Sequence, residues 1–494
     1  MFSKLLELFK SSSIYTIGNL INRALFLISM PIMTRYMVPK EYGILSLINA
    51  VTAILMTLYG LGTTSSAMRF YYECESEIEQ KRLLGAILSY ILLFTFIISV
   101  FLSMFGDSFF QKVLRDIPFS PYMLLGIWIC FIGMFGILPD ALFRILDQPI
   151  LFIFVGISKS VLNITLAIIS VVVLKKGAEG PLGASLIVGI IVGIYYLFYL
   201  HDKIALNFSV SVIKKCLKFG IPVLFLLLGR VLLGATDRLI LQRFVDLSIV
   251  GFYSVGATVG SVLVMVASSI NSAWIPFFYA TAKNEAESEA KELFSYASTY
   301  VAVIILFLGL CAAIFRREIM YILAPPSYYP VIEIIPFIMI GAIFNALFFI
   351  PVRGIYQQKK TVYLPFIILV ALVINISLNF LLIPKFQMLG AALATAIASF
   401  VMLFLCFIIS QKLYYIPYQY NRLFKILISC ILCYVLSDLV QGYPSLTSIF
   451  IKSFVVMLFP FFIYLFRFFE PREIERFKHL ASKSIKRVKA ASRL

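Results

Sequence analysis

Residues 219–243 read FGIPVLFLLLGRVLLGATDRLILQR. The run is apolar for longer than the roughly 20 residues a helix needs to cross a bilayer's hydrocarbon core. Yet Arg230 stands near mid-depth, with Asp237 and Arg238 about two turns further along. Gly229 and Gly234 on the same helix permit close backbone approach. An ionised side chain at that depth costs about 2.5 kcal/mol or more, so it faces a bundle interior or a water-filled cavity.

Working outward, thirteen further stretches have the same character. The fourteen expected spans cover 14–36, 42–64, 84–105, 121–143, 150–174, 182–200, 219–243, 248–273, 294–315, 331–350, 361–383, 388–410, 423–440 and 446–466. Of the 494 residues, 61% are hydrophobic and 13% charged, about half the charge of a soluble domain. The fold class is therefore an all-α integral membrane protein. The formal charge of +18 fits basic loops beside anionic lipid, and nucleic acid is not an expected partner. The first span is too long for a cleavable signal peptide and is read as a retained helix.

Lys/Arg counting sets the orientation. With a cytoplasmic N-terminus, the inner segments hold 27 of the 42 cations and the outer segments 10. Both termini are expected in the cytoplasm, with the chain in the cell (cytoplasmic or inner) membrane.

The chain also repeats itself. Arg35-Tyr36 and Gly43-Ile44-Leu45-Ser46 recur 208 positions on as Arg243-Phe244 and Gly251-Phe252-Tyr253-Ser254. Asn163-Ile164-Thr165-Leu166 recurs as Asn375-Ile376-Ser377-Leu378, and Leu182-Gly183-Ala184 as Leu389-Gly390-Ala391. Each repeat holds six spans, so the two are parallel about an axis along the membrane normal. The expected domains are an N-terminal lobe (1–200), a C-terminal lobe (219–410), two appended helices (421–466) and a basic tail (467–494). The tail carries nine Lys/Arg against three Glu and reads as a surface helix on anionic lipid.

Candidate site residues follow from burial. Asn19, Asn22 and Arg23 share one face of the first span. Arg23 lies roughly 13 Å into it at 1.5 Å per residue. Lys159 lies midway along the fifth span. Within the first twelve spans the reading finds four cations (Arg23, Lys159, Arg230, Arg238) against one acid, Asp237, a surplus of three. Unpaired positive charge around a cavity calls for an anionic cargo, and guanidinium geometry suits phosphate. Asn19, Asn22, Asn163, Gln242, Asn375 and Asn379 could bond sugar hydroxyls or neighbouring helices. Lys452, on an appended helix, is expected to reach the nearer interface.

The absences bound the chemistry. There is no phosphate-binding G-x-x-x-x-G-K-[ST] loop. The two histidines, His201 and His479, sit in different segments, so no zinc cluster and no cofactor is expected. Seven scattered cysteines argue against a disulfide framework, and the Cys430-x-x-Cys433 pair falls within an apolar helix. A glycosyltransferase or ligase would call for a larger polar outer loop. A multidrug cation antiporter would call for an acidic cavity.

Several of these features together resemble the bacterial polysaccharide repeat-unit flippases of O-antigen and capsule assembly. They are Asn19, Asn22 and Arg23, the Pro31…Thr34-Arg35-Tyr36 end, the Glu41-Tyr42-Gly43 turn, Leu142-Phe143-Arg144, and Leu389-Gly390-Ala391-Ala392-Leu393-Ala394-Thr395. The likeness runs from about residue 10 to 470. It implies the multidrug/oligosaccharidyl-lipid/polysaccharide exporter fold, two six-helix lobes and alternating access. It implies as substrate an undecaprenyl pyrophosphate carrying one oligosaccharide unit, with other glycan-assembly proteins as possible partners. Cavity cations of such proteins would correspond to Arg23, Arg230, Arg238 and Lys159. The two appended helices depart from twelve-span members and resemble the lipid II flippases.

Overall fold

In a computed structural model of the chain, the described residues are 27–205, 208–439 and 445–470, with 18, 21, 22, 24, 25 and 473. No strand occurs among them. Among the described residues, twelve helices are long and apolar enough to cross a bilayer. Preceding them is α1, helical over 27–36, the last part of the first expected span. There follow α2 (Pro39–Tyr71), α3 (Glu77–Phe105), α4 (Phe119–Ile145), α5 (Pro149–Val173), α6 (Glu179–Leu200) and α7 (Val210–Leu241). Next come α8 (Leu247–Asn284), α9 (Glu287–Ile314) and α10 (Pro326–Gln357), and after the long helix described below, α13 (Tyr420–Asp438) and α14 (Thr447–Leu465). The starts are locally encoded. Pro39 occupies the first turn of α2, where its missing N–H costs nothing. Ser76 caps α3 by accepting from the Glu79 N–H at 3.2 Å.

The helix Tyr363–Leu413 has 51 residues. As a straight rod it would run about 76 Å, more than twice the hydrocarbon thickness. It instead breaks at Gln387, whose backbone lies at φ 48°, ψ −124°, three residues after Pro384. The two arms, α11 before the break and α12 after it, fold back on each other. Asn375 Nδ2 donates to Thr395 Oγ1 across them at 3.3 Å, although 20 residues of straight helix would separate the pair by about 30 Å. The expected eleventh and twelfth spans are these two arms.

The chain divides into two compact units: residues 1–277 with 319–414, and residues 278–318 with 415–494. In the first unit, α2 and α8 meet at their first turns. A Cβ on Gly43 would collide with the Leu247 carbonyl oxygen, and one on Gly251 with that of Pro39. Only glycine permits this backbone approach. One turn further on, the Ser46 and Ser254 hydroxyls hydrogen-bond at 2.7 Å. At the same end Thr34 donates to the Leu323 carbonyl (2.7 Å) and Tyr328 to that of Met37 (2.9 Å). At the far end of α2, Ser66 donates to the Cys216 carbonyl of α7 at 2.8 Å.

The second unit packs α13 and α14 on α9 around Leu310, Ile314, Ile426, Cys430, Cys433, Val455 and Phe459. Cys430 and Cys433 are buried, unbonded thiols in that apolar core. Lys452, expected at the interface, is 3% exposed, and its ammonium donates to Glu318 Oε1 at 2.6 Å. The correction has a simple cause: a carboxylate on the short helix Arg316–Leu323, just after α9, reaches it, so the charge is paired where it stands. Arg422, also buried, forms an ion pair with Glu473 at 2.9 Å and lies 4.1 Å from the Phe468 ring centre. The basic tail beyond Glu473 lies outside the described residues.

Candidate functional site

α7 carries the chemistry, and helical periodicity decides how it is presented. Arg230, Gly234 and Arg238 follow at four-residue spacing and so share a face. Nothing lies within 4 Å of where a Gly234 Cβ would be, so space opens between the two guanidinium groups. That face is the common wall of two chambers. The larger, about 580 Å³, lies among α1, α2, α5, α6, α7 and α8. The smaller, about 280 Å³, lies among α7, α8, α10, α11 and α12. Arg230, Gly234, Arg238, Ala257 and Ser261 line both.

Neither arginine has an ion-pair partner among the described residues. Arg230 is exposed to the chambers, while the Arg238 Nε is buried without a hydrogen-bond acceptor. Asp237, adjacent to Arg238 in sequence, does not neutralise it. Its Oδ2 accepts from the Tyr253 hydroxyl at 2.7 Å and from Thr395 Oγ1 at 2.8 Å. Consecutive helical residues point about 100° apart, so the two side chains serve different neighbours.

Thr395 also links Asp237 to Asn375. The Asn375 Oδ1 accepts from Thr236 Oγ1 (2.8 Å) and from Asn379 Nδ2 (3.0 Å). All of Thr236, Asp237, Asn375 and Asn379 are buried, so each bond removes a desolvation penalty that an unpaired group would carry. Asp237, Asn375, Thr395 and Tyr253 line the smaller chamber. The repeat counterpart of Asn375, Asn163, lines the larger chamber and donates to Ser185 Oγ at 3.1 Å.

The other expected residues fall as follows. Arg23 and Asn19 lie outside the described residues. Asn22 stands beside α5, where a Cβ on Gly156 would meet its Nδ2 at 3.0 Å, and it lines neither chamber. Lys159 is exposed, one turn from Asn163 on α5, and also lines neither. It lies within electrostatic reach of Asp140, a carboxylate on α4 that also accepts from Tyr196 at 3.1 Å.

Asp140 amends the charge count, because it is an acid within the fourth expected span that the count of one acid left out. Gln242 is brought to neither chamber. α7 ends at Leu241, and the buried Gln242 amide turns away to donate to the Val113 carbonyl. Tyr253, Thr395, Asn49 and Asn345 were not among the expected site residues, yet all four line a chamber. The Ser46–Ser254 spacing of 208 was the available signal for where the repeats meet.

Comparison with known proteins bears on the family and the fold. Residues 8–282 match the family model described as "Polysaccharide biosynthesis protein". A membrane protein of Methanocaldococcus jannaschii, MJ1068, described as uncharacterized, is 28% identical over 203 residues. That match covers 40% of this chain and 39% of the relative, so it spans about two-fifths of that protein's length. Among solved structures, the lipid II flippase MurJ in an inward closed conformation superposes with a TM-score of 0.73 at 14% identity, covering 91% of this chain and 98% of that one. An inward-facing multidrug resistance MATE transporter of the MOP superfamily gives 0.59 at 15% identity, covering 79% and 94%. The fold is thus the one these flippase and transporter structures share, in a multi-pass membrane protein. With more than half of its length matched by the family model, the chain belongs to the polysaccharide biosynthesis protein family.

Proposed function

We propose that this protein is a flippase that carries polyprenyl-pyrophosphate-linked oligosaccharide units from the cytoplasmic to the outer leaflet, by alternating access of lobes 1–200 and 219–410. The observation that carries the reading is the pair of guanidinium groups, Arg230 and Arg238, on the wall between two chambers and without carboxylate partners among the described residues. Such a pair favours a pyrophosphate, which offers acceptors for both forks. The polyprenyl chain stays in lipid while the headgroup enters. Arg23 of the first span acts with Arg230 and Arg238 in drawing the pyrophosphate and glycan in, and Lys159 of α5 is a further candidate cation.

With both termini in the cytoplasm, a membrane potential assists export of the anion by about 2.3 kcal/mol per charge per 100 mV. The multidrug-cation alternative fits less well, since no carboxylate among the described residues lines the larger chamber and Asp237 is engaged by Tyr253 and Thr395.

The test is genetic and direct. Arg230→Ala and Arg238→Ala should abolish surface polysaccharide and accumulate lipid-linked units on the cytoplasmic side, with Arg→Lys partly tolerated. Normal surface polysaccharide in both alanine variants, at normal protein levels, would remove the assignment.

A further inference from the structure

The larger chamber has a chemistry that the two arginines do not account for. Among the described residues, its only charged lining side chains are Arg230 and Arg238. The remaining polar lining is hydroxyl and carboxamide, including Ser46, Asn49, Asn163 and Ser185. The smaller chamber differs, because Asp237 lines it.

Two carboxamides in the larger chamber keep unused capacity. Asn49 is exposed there, about one helical turn from Ser46, and its side chain bonds to no other described residue. Asn163 spends its Nδ2 on Ser185, while its Oδ1 takes no bond from a described residue. The counterpart in the other repeat, Asn375, has both its amide groups engaged by Thr236, Asn379 and Thr395. The same residue type is thus bonded at both amide groups in one repeat and at one of them only in the other.

Size narrows the occupant. At about 580 Å³ the chamber falls within the range of small-molecule sites, roughly 300–1,000 Å³. It has room for the first one or two sugar rings, not for a long glycan.

We infer that the larger chamber is a sugar subsite that reads the ring attached directly to the phosphates, with Asn49 and Asn163 as its specificity-determining groups, and that it takes neutral sugars and rejects free-amine ones. The inference rests on the pyrophosphate reading above. A carboxamide offers both a donor and an acceptor, which matches hydroxyl and N-acetyl groups. The pyrophosphate takes up both guanidinium groups, and the described lining of the chamber offers an ammonium no carboxylate of its own.

Binding of short-chain probes to the full-length purified protein tests this by titration calorimetry. The probes are a ten-carbon polyprenyl pyrophosphate without sugar, and the same lipid carrying N-acetylglucosamine, galactose or glucosamine. At least one neutral-sugar probe should bind the wild type about tenfold more tightly than the bare lipid, and the glucosamine probe no more tightly. Asn49→Leu and, separately, Asn163→Leu should remove most of that tenfold advantage while the bare lipid binds as before. Equal affinity for bare and neutral-sugar probes, an equal gain from glucosamine, or a parallel loss for all probes in both variants overturns the subsite. If instead the bare lipid does not bind, or binds Arg230→Ala and Arg238→Ala as well as wild type, the pyrophosphate reading falls and the subsite with it.

Discussion

Ser46 and Ser254 join α2 to α8 through a 2.7 Å hydrogen bond, and they stand 208 positions apart, the spacing that relates the two repeats. A residue that touches its own counterpart lies beside the axis relating the halves. Gly43 and Gly251, also 208 apart, crowd the same axis one turn earlier. Small residues in matched positions thus hold α2 against α8 beside the larger chamber, a seam that can part without tearing a core.

Replacing both serines by cysteine converts that seam into a lock. The oxygen separation is short enough for the sulfurs to meet within disulfide geometry. Oxidised Ser46→Cys/Ser254→Cys protein should lose transport of labelled lipid-linked sugar in proteoliposomes, and a reductant should restore it. Full transport with the bridge formed would mean that the seam never opens.

Gly43→Ala and Gly251→Ala attack the same contact from the other direction. Either Cβ collides with a backbone carbonyl that has no rotamer to change. The cost of such overpacking is about 1–3 kcal/mol, levied on the sealed state alone. Labelling of a Ser46→Cys reporter by an impermeant maleimide should therefore speed up by roughly five- to a hundredfold. Unchanged labelling would show that the helices already stand apart.

The Asp237 network predicts an uneven response at Thr395. Thr395→Val strips a donor from the buried carboxylate and an acceptor from Asn375, and should destabilise the solubilised protein by about 1–3 kcal/mol. Thr395→Ser keeps both bonds and should unfold near the wild-type temperature. Equal melting temperatures for the two variants would contradict the network.

For Lys452 and Glu318 the sign depends on how many partners are removed. Lys452→Met alone leaves a carboxylate of low exposure unpaired and should cost about 3–5 kcal/mol, whereas Lys452→Met with Glu318→Leu should recover most of it. A double-mutant cycle on thermal unfolding reads the difference, and additive losses would show that the pair is not coupled.

The helices were legible because a bilayer imposes a length on any segment that crosses it, and hydropathy reports that length. Even the break at Gln387 lay between two expected spans. Arg230 and Arg238 could be placed on one face from their spacing alone. What sequence lacked was rotation and distant partners. Gln242 sits one turn beyond Arg238, yet the helix ends at Leu241 and the amide turns away. Glu318 is 134 positions from Lys452, and no local pattern announces the pair. Asp140 lies toward the end of α4 and escaped the charge count. The hydroxyls of Tyr253 and Thr395 look like ordinary packing until a carboxylate is seen between them.

The fold-back at Gln387 has a mechanical consequence. Because Thr236 and Asp237 of α7 bond to both arms of that hairpin, through Asn375 on one and Thr395 on the other, the three helices form a triangulated truss. Sliding α7 along either arm would break buried bonds together, while tilting the whole truss breaks none of them. Arg230 and Arg238 would then ride as fixed teeth on a rigid lever, turning with it as the seam opens rather than swinging on their own.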